Sequence, residues 1–315
     1  MTGGTFGAET TADEVLTGVD LAGKTALVTG ASAGLGVETV RVLSSHGAAV
    51  VGGVRDIAKA EKALSEVGVD VGAQVTLEEV DLASLASVRA FTDRITASYD
   101  HLDLLFANAG LMACPPAKTV DGFELQFGTN HLGHFVLVNR LVPLLLAGAP
   151  SRIVCLSSSG HRIGDVDLDD PNFESTPYEP WLAYGRSKTA NAQFAVELDR
   201  RLRDRGVRAV AVHPGGIDTE LFRHLDEAQQ AFVAASGRTS RKSVGQGVAT
   251  GIWAGIVADA DEVGGKFTED CSVAEIFDGQ FREGPTGVKS YVYDPERGAA
   301  LWSRSEELVG EAFAI

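Results

Sequence analysis

KTALVTGASAGLG, residues 24–36, decides the fold of this 315-residue chain. Most of its first six residues, KTALVT, are apolar or β-branched, and this predicts a buried strand. Gly30, Gly34 and Gly36 follow, and Leu35–His46 has the pattern of a helix. Glycines between a strand and a helix let the backbone turn tightly, and the helix start offers N–H groups to an anion. This context predicts a pyrophosphate site, although a tight turn without a ligand is the alternative.

Strand and helix patterns alternate along the chain after this turn. Such alternation predicts βαβ units and therefore an α/β fold, with a single doubly wound, Rossmann-type parallel sheet and helices on both faces. Strand patterns that are apolar throughout, such as Leu104–Phe106, suit strands covered on both sides. The predicted strands are 24–29, 48–54, 74–80, 102–107, 152–156 and 207–212, and the predicted helices are 35–46, 57–67, 85–99, about 122–146 and 181–204.

No compositional break divides the chain. We therefore expect an N-terminal extension over 1–20 and a single Rossmann-type domain over 21–315. Two segments are predicted to be substrate loops on that domain. The segment at about 159–180 is acidic, contains three prolines and is predicted to be a surface loop. The segment at about 220–242 follows a Pro-Gly turn and is predicted to be a helical lid.

Composition excludes several classes of protein. The chain is 44% hydrophobic and 22% charged, which is typical of a globular protein, and its net charge is −16. An acidic chain is a poor partner for nucleic acid. The most apolar stretch, Phe135–Ala149, is interrupted by Asn139, Arg140 and Pro143, so no membrane anchor is expected. The first eleven residues lack the apolar core of a signal peptide, and we expect a cytoplasmic location.

Neither the cysteines nor the histidines have metal-ligand spacing. Cys114, Cys155 and Cys271 form no Cys-x-x-Cys pair and are expected to be reduced thiols. His131 and His134 lie three apart on a predicted helix, but no further ligands are spaced to join them. Packing, or a hydrogen bond on the cofactor side, is the expected role of these histidines, and no metal is predicted.

The residue after the second strand bears on the choice of cofactor. Arg55 lies nineteen residues after Gly36, close to the separation of about twenty at which an acidic residue would bind the ribose 2′-hydroxyl of NAD. A cation there accommodates the 2′-phosphate of NADP instead. NADP(H) is therefore favoured, and NAD(H) stays possible. Alternatively, Arg55 is a solvated turn residue and Asp56 caps the next helix.

Two further strand ends should meet at the same edge of the sheet. Asp81 and Leu82 end the third strand, where they face the adenine or, alternatively, cap the following helix. Asn108, Ala109 and Gly110 follow the fourth strand, and their small side chains allow close backbone approach. All five are predicted to contact the cofactor.

Tyr184 and Lys188 lie four residues apart and share one face of a predicted helix. A free tyrosine has a pKa of about 10, so it needs a neighbouring ammonium to exchange protons near neutral pH. The long stem of Lys188 can also reach a bound ribose. Taken alone, the same spacing is typical of two amphipathic surface residues.

The chain resembles the short-chain dehydrogenase/reductase family over nearly its whole length. Two strings, Asn130–Phe135 (NHLGHF) and Gly264–Cys271 (GGKFTEDC), resemble the retinol-dehydrogenase-like and WW-domain-oxidoreductase-like subgroup. The family motifs occur here in order as the turn from Thr29 to Gly36, Asp81, Asn108-Ala109-Gly110, Asn130, Ser157-Ser158, Tyr184-x-x-x-Lys188 and Pro214-Gly215-x-Ile217-x-Thr219.

The resemblance implies a catalytic set. In it, Tyr184 exchanges a proton with the substrate, and Lys188 lowers the pKa of the phenol and binds the nicotinamide ribose. Ser158 binds the substrate oxygen, with Ser157 as the rival, and Asn130 holds a water that links Lys188 to solvent. The implied cofactor contacts are Gly30, Ser32, Gly34, Leu35, Gly36, Arg55, Asp81, Leu82, Asn108, Ala109, Gly110, Tyr184, Lys188, Pro214, Gly215, Ile217 and Thr219.

The implied function is NAD(P)-dependent interconversion of an alcohol and a carbonyl. A bulky apolar substrate, such as a steroid, a retinoid or an aromatic alcohol or ketone, is expected from the subgroup and from the apolar lid residues Leu221, Phe222, Phe232 and Val233. Relatives are commonly dimers or tetramers, so a homodimer or homotetramer is expected. Two alternatives are a dinucleotide-sensing protein with little catalysis and a nucleotide-sugar epimerase or dehydratase, and the glycine spacing disfavours the second.

Overall fold

The computed structural model describes residues 6–217, 242–281 and 286–315, which form an eight-stranded sheet covered by helices. Leu27 on the first strand points into one hydrophobic core and Val28 into the other, so both faces of the sheet are buried. The strands are β1 (Thr25–Thr29), β2 (Ala49–Val54), β3 (Val75–Glu79), β4 (Leu104–Ala107), β5 (Ser151–Leu156), β6 (Val207–His213), β7 (Phe267–Glu269) and β8 (Ser272–Val273).

The strand order is β3-β2-β1-β4-β5-β6-β7-β8. Strands β1 to β7 are parallel, and β8 pairs antiparallel with β7. The order reverses between β1 and β4, where ligands bind in open α/β sheets. The predicted fold class, a doubly wound parallel sheet with helices on both faces, is therefore confirmed.

The helices of the described residues fill the connections between the strands. Several begin at a capping residue, and Asp56 and Ser84 accept the N–H groups of Lys59 and Ser87 at two of these starts. The helices are α1 (Ala12–Val15), α2 (Gly34–Ser45), α3 (Ile57–Glu66), α4 (Leu85–Ser98), α5 (Leu125–Phe127), α6 (Gly133–Ala147), α7 (Pro180–Leu202), α8 (Val244–Ile252), α9 (Ala260–Val263) and α10 (Pro295–Val309).

Two cores hold the layers together. Phe91, Phe135, Phe194 and Trp302 pack between one face of the sheet and helices α4, α6, α7 and α10. On the other face, helices α1, α2 and α8 supply most of the packing, and Leu16 of the N-terminal extension belongs to this core. Within the described part of the chain, no helix has the length and the apolar character that crossing a membrane requires.

The prediction was wrong or incomplete in two places before β6. The predicted helix over about 122–146 is interrupted by a π-helical turn, Gly128–Leu132, which separates α5 from α6. The segment after β5 is not a surface loop at its start, because Ser159–Ile163 forms a buried 3₁₀ turn. Arg162 of that turn donates to the carbonyls of Gln280 and Thr286, and these two residues cover its side chain.

Elements beyond β6 were not predicted. Strands β7 and β8 and helices α8 to α10 extend the fold towards the C-terminus. The strands are short, and the helices carry no motif that the sequence analysis used. The predicted lid at about 220–242 lies outside the described residues except for Lys242, and so do the lid residues Leu221, Phe222, Phe232 and Val233.

Candidate active site

The turn between β1 and α2 has glycine at positions where a side chain would be strained or would clash. Gly30 has a φ of 75° and Gly34 a φ of 50°, in the left-handed region that glycine adopts freely. A Cβ on Gly36 would lie 2.0 Å from the carbonyl oxygen of Gly30. Ala33, at the N-cap of α2, offers no side-chain acceptor to the first N–H groups of the helix. This cradle fits a pyrophosphate, because a helix N-terminus left without a side-chain cap favours an anion.

The two other residues of the turn that the sequence assigned to the cofactor, Ser32 and Leu35, are half-buried. Leu35, Asn108 and Pro214 line one cleft between α2, α8 and the carboxyl ends of β4 and β6. Three residues that the sequence assigned to the cofactor, from three distant parts of the chain, therefore share one cleft.

Thr29 ties the ends of β1 and β4 together. Its hydroxyl accepts the N–H groups of Asn108 at 3.0 Å and Ala109 at 3.1 Å, and the Asn108 side chain donates to the Thr29 carbonyl at 2.8 Å. Beyond them, a Cβ on Gly110 would lie 3.3 Å from the ammonium of Lys188. The small residues after β4 thus let the backbone at the end of this strand approach the Lys188 ammonium closely.

His134 continues this link towards Asn130. Its Nδ1 lies 2.9 Å from the carbonyl oxygen of Asn130, which can only accept, so Nδ1 carries the proton. Its Nε2 lies 2.9 Å from the Thr29 hydroxyl and accepts from it. Burial lowers the pKa of His134 to about 4, which keeps the ring neutral. The sequence analysis expected packing or a hydrogen bond on the cofactor side for this histidine, and the geometry has both.

Asn130 sits in the π-helical turn before α6 and is fully buried. Its Oδ1 accepts the N–H of Leu111 at 2.8 Å, and its Nδ2 donates to the Leu111 carbonyl at 3.0 Å and to Ser187 at 2.9 Å. Single π turns inside α-helices occur frequently at functional sites. Here the turn joins the loop after β4 to helix α7.

Tyr184 and Lys188 occupy the second and third turns of α7, which begins with Pro180 at its first position and Glu179 as its cap. Tyr184 is buried, and the ammonium of Lys188 lies 5.8 Å from the centroid of its ring. That ammonium donates to the carbonyl of Leu156, at the end of β5, at 3.1 Å. Burial lowers the pKa of Lys188 to about 8.

The two adjacent serines after β5 have different environments. The Ser157 hydroxyl is buried and donates to the carbonyl of Lys188 at 2.7 Å. The Ser158 hydroxyl accepts the N–H of Gly160 at 3.0 Å. A Cβ on Gly160 would lie 2.8 Å from the Tyr184 ring and 3.4 Å from the Ser158 hydroxyl, so these two groups border the same space. The geometry favours Ser158 over Ser157 as the partner of Tyr184.

The residues after β2 and β3, which the sequence assigned to the cofactor, differ in exposure. Arg55 is exposed at the end of β2, and the neighbouring Asp56 caps α3. Asp81 accepts the N–H of Ala83 at 3.0 Å, so part of its carboxylate already has a backbone partner. Leu82 is buried against α6, where a Cβ on Gly133 would meet its carbonyl oxygen at 2.5 Å.

Lys242 lies beside Gly215 and Ile217, two residues that the sequence assigned to the cofactor, and it was not predicted itself. A Cβ on Gly215 would lie 2.8 Å from the aliphatic stem of Lys242, and the Lys242 ammonium pairs with Asp270 at 2.5 Å. Ile217 bridges to Lys242 through the backbone. Asp270 lies within the string Gly264–Cys271 that carries the subgroup resemblance, but nothing in the sequence indicated Lys242. Thr219 lies outside the described residues.

A doubly wound sheet that carries a glycine cradle after β1 and a Tyr–Lys pair at its carboxyl edge defines a dinucleotide-dependent oxidoreductase. The sequence profile of short chain dehydrogenases matches residues 24–230, and the chain belongs to that family. It is an oxidoreductase enzyme of the retinol-dehydrogenase-like subgroup, with a nicotinamide dinucleotide cofactor and a small-molecule substrate.

Three known proteins place the chain within this family. Retinol dehydrogenase 14 of Mus musculus is 39% identical over 302 residues, covering 91% of this chain and 86% of the relative. The crystal structure of an uncharacterized protein from Mycobacterium paratuberculosis is 38% identical, with a TM-score of 0.72 over 94% of this chain and 97% of the other. The structure of RhlG from Pseudomonas aeruginosa in an active-site complex with NADP is 25% identical, with a TM-score of 0.59 over 74% and 89%.

Proposed function

We propose that this enzyme interconverts a bulky apolar alcohol and its carbonyl with NADP(H) as the preferred cofactor, and that Tyr184 is the general acid–base. The observation that carries the proposal is the shared space of Tyr184, Lys188 and Ser158. The ammonium lies 5.8 Å from the phenol ring, and the Ser158 hydroxyl borders the same ring across Gly160. A cation beside a buried phenol favours the phenolate and so lowers the cost of proton exchange.

Each residue has a separate task in the reduction direction. When bound, the nicotinamide ring supplies the hydride. Tyr184 donates its hydroxyl proton to the oxygen of the substrate, and Ser158 donates a hydrogen bond to the same oxygen. Lys188 stabilises the phenolate that results, and its pKa of about 8 keeps it mostly protonated at neutral pH. Asn130 fixes the backbone of Leu111 next to this group.

The preference for NADP(H) rests on Arg55. Its guanidinium is exposed at the end of β2, next to the glycine turn, and a cation in that place suits a 2′-phosphate. The complex of RhlG with NADP supports a phosphorylated dinucleotide in a related protein. NAD(H) is the alternative cofactor.

The apolar character of the substrate rests on the neighbours of Tyr184. Met112 and Ala113 are buried against Tyr184, and Trp181 meets its ring edge-to-face with the centroids 6.2 Å apart. A polar substrate would lose hydration against this surface without gaining partners. The name of the relative, retinol dehydrogenase 14, supports a retinoid, a steroid or an aromatic compound of similar size.

The test is a panel of alcohols and ketones followed by nicotinamide absorbance, with Tyr184→Phe as the variant. We expect the variant to keep its affinity for NADPH and to lose about a thousandfold in kcat, because it lacks only the exchangeable proton. Turnover by the variant at the unmodified rate contradicts the proposal. Tight NADPH binding with no turnover of any compound supports the dinucleotide-sensing alternative instead.

Three coarser proposals complete the account. We propose a single oxidoreductase domain over 21–315, a cytoplasmic location and a homodimer or homotetramer. Light scattering on the purified protein tests the assembly, and a mass of about one chain contradicts it.

A further inference from the structure

A buried polar network lies behind the apolar residues that pack on Tyr184. At its centre is Gln126 of α5, which is 0% exposed. Its Oε1 accepts the N–H of Ala113 at 2.8 Å. Its Nε2 donates to the hydroxyl of Tyr178 and to the carbonyl of Pro180, both at 3.0 Å. One amide therefore joins the loop after β4 to the segment that enters α7.

Glu124 and Tyr178 complete this network. Glu124 is buried, and its carboxylate accepts the N–H groups of Gln126 at 2.9 Å and Phe127 at 2.6 Å. Tyr178 donates to the carbonyl of Cys114 at 2.9 Å. Burial raises the pKa of the Glu124 carboxyl, while its bonds to the two N–H groups oppose that rise. A buried network with its members bonded in this way fixes the positions of its parts.

The loop after β4 needs such support because its backbone is strained. Ala113 has a φ of 47°, in the left-handed region where a side chain with a Cβ is disfavoured. Strained residues keep their conformation only when their surroundings hold them there. The bond from the Ala113 N–H to Gln126 is one such restraint, and it sets where Met112 and Ala113 lie against Tyr184.

We propose that Gln126 is a positioning residue that sets substrate size selectivity by holding the apolar wall made by Met112, Ala113 and Trp181 against Tyr184. This inference rests on the proposed function of Tyr184. Trp181, the half-buried member of this wall, is the one that the part of a substrate beyond the reacting carbon would meet. Tyr184 and Lys188 themselves are held by α7 and by the bond from Lys188 to the Leu156 carbonyl, which does not involve Gln126.

The variant that tests this role is Gln126→Met, which keeps the length of the side chain and removes its polar atoms. Gln193→Met is the matched control, because Gln193 is also buried and its Nε2 donates to Asp165 at 3.0 Å and to the Tyr291 carbonyl at 3.2 Å, away from the wall. The substrates are butanone, which is too small to reach the wall, and methyl naphthyl ketone, which is large and flat. Initial rates with NADPH give kcat and KM for each ketone.

We expect Gln126→Met to raise the Michaelis constant for the naphthyl ketone about tenfold, with its kcat and the kcat/KM for butanone changed less than about twofold. Gln193→Met should leave the ratio of the two ketones unchanged. The NADPH dissociation constant should be the same in all three proteins. Equal losses on both ketones, no change in selectivity, or the same change in the control each overturn the proposal.

Two further measurements keep the outcome decisive. If Gln126→Met does not fold, Tyr178→Phe replaces it, and a smaller rise in the Michaelis constant for the naphthyl ketone is expected because the amide keeps its bond to Ala113. Binding of the naphthyl ketone is followed without turnover, as quenching of Trp181 fluorescence with Trp181→Phe as the blank. Binding without turnover contradicts the proposed function alone, whereas no binding to the unmodified protein, or equal binding to Gln126→Met, overturns this inference.

Discussion

The two sides of Tyr184 are built on different principles. On the cofactor side, the geometry depends on missing atoms, since a Cβ on Gly36 would lie 2.0 Å from the Gly30 carbonyl oxygen and a Cβ on Gly110 would crowd Lys188. On the substrate side, the geometry depends on polar side chains that donate to or accept from the backbone of neighbouring segments. Gln126 bonds to Ala113 and Pro180, and Arg162 donates to the backbone of residues 280, 281 and 286.

This contrast has consequences for mutation. Every other residue has a Cβ, so the glycine positions of the cofactor side should tolerate almost no substitution. A side chain that donates to a carbonyl can be replaced by another donor of similar length, because carbonyls accept from any of them. The glycine positions of the cofactor side should therefore lose function outright when they are substituted, whereas the substrate side should change its selectivity.

The largest effect is expected from Gly36→Ala. The new methyl group would meet backbone rather than a flexible side chain, so the turn has to open. We expect the NADPH dissociation constant to rise more than about a hundredfold, measured by nicotinamide fluorescence. Gly245→Ala is the control, because its Cβ would lie no closer than 3.5 Å to another atom, in the first turn of α8. Unchanged binding by Gly36→Ala would remove the contrast between the two sides.

The same contrast explains how much the sequence could predict. Gly30, Gly34 and Gly36 have to be glycine, so the turn could be recognised and the fold followed from it. Tyr184 and Lys188 could be recognised because their spacing places them on one helix face.

The substrate side lacked such signals. The prediction of a surface loop at 159–180 was wrong at its start because nothing local indicates that Arg162 is covered by Gln280, Phe281 and Thr286. Gln126 and Lys242 are ordinary residue types, and only the folded chain gives them their partners. The backbone of Ala113 lies in the left-handed region although the residue is not glycine, and a sequence does not indicate such a position.

Ser157 and Ser158, which follow β5, allow a direct comparison of a hydroxyl that holds the fold with one that binds the substrate. Ser158→Ala should lower kcat/KM about a hundredfold, because it removes a donor to the substrate oxygen in addition to the acceptor of the Gly160 N–H. Ser157→Ala removes the bond to the Lys188 carbonyl and should lower the free energy of unfolding by about 1 kcal/mol, with a smaller effect on rate. Steady-state rates and urea unfolding separate the two. The reverse pattern would assign the substrate to Ser157.

Lys188 lies on the border between the two sides, and its burial should be visible in stability. Its folded-state pKa of about 8 is below the unfolded value of about 10.4, so the unfolded chain binds more protons between these pH values. Stability contributed by this group therefore rises as the pH increases from 8 to 10.4, and below pH 8 the buried charge costs on the order of 3 kcal/mol.

Lys188→Met should consequently raise the free energy of unfolding at pH 7 by about 2–3 kcal/mol, flatten its rise above pH 8, and abolish turnover. Lys62→Met, at an exposed lysine of α3, is the control for the change of residue type. Urea unfolding at several pH values measures both. A variant that is less stable at pH 7 would mean that the ammonium is a net stabilising group in the fold.

The smallest effect is expected from Arg55→Asp, because Arg55 is exposed and its attraction for a phosphate is screened by solvent and salt. We expect the dissociation constant of NADPH to rise about tenfold and that of NADH to stay the same or fall. Arg203→Asp makes the same change of charge at an exposed position after α7, so it separates a contact with the 2′-phosphate from a general effect of adding negative charge to a chain of net charge −16. If both variants weaken NADPH equally, or if the unmodified enzyme already prefers NADH, Arg55 does not recognise the phosphate. The cofactor side would then recognise the pyrophosphate, through its glycines, and would not distinguish a ribose with a 2′-phosphate from one without it.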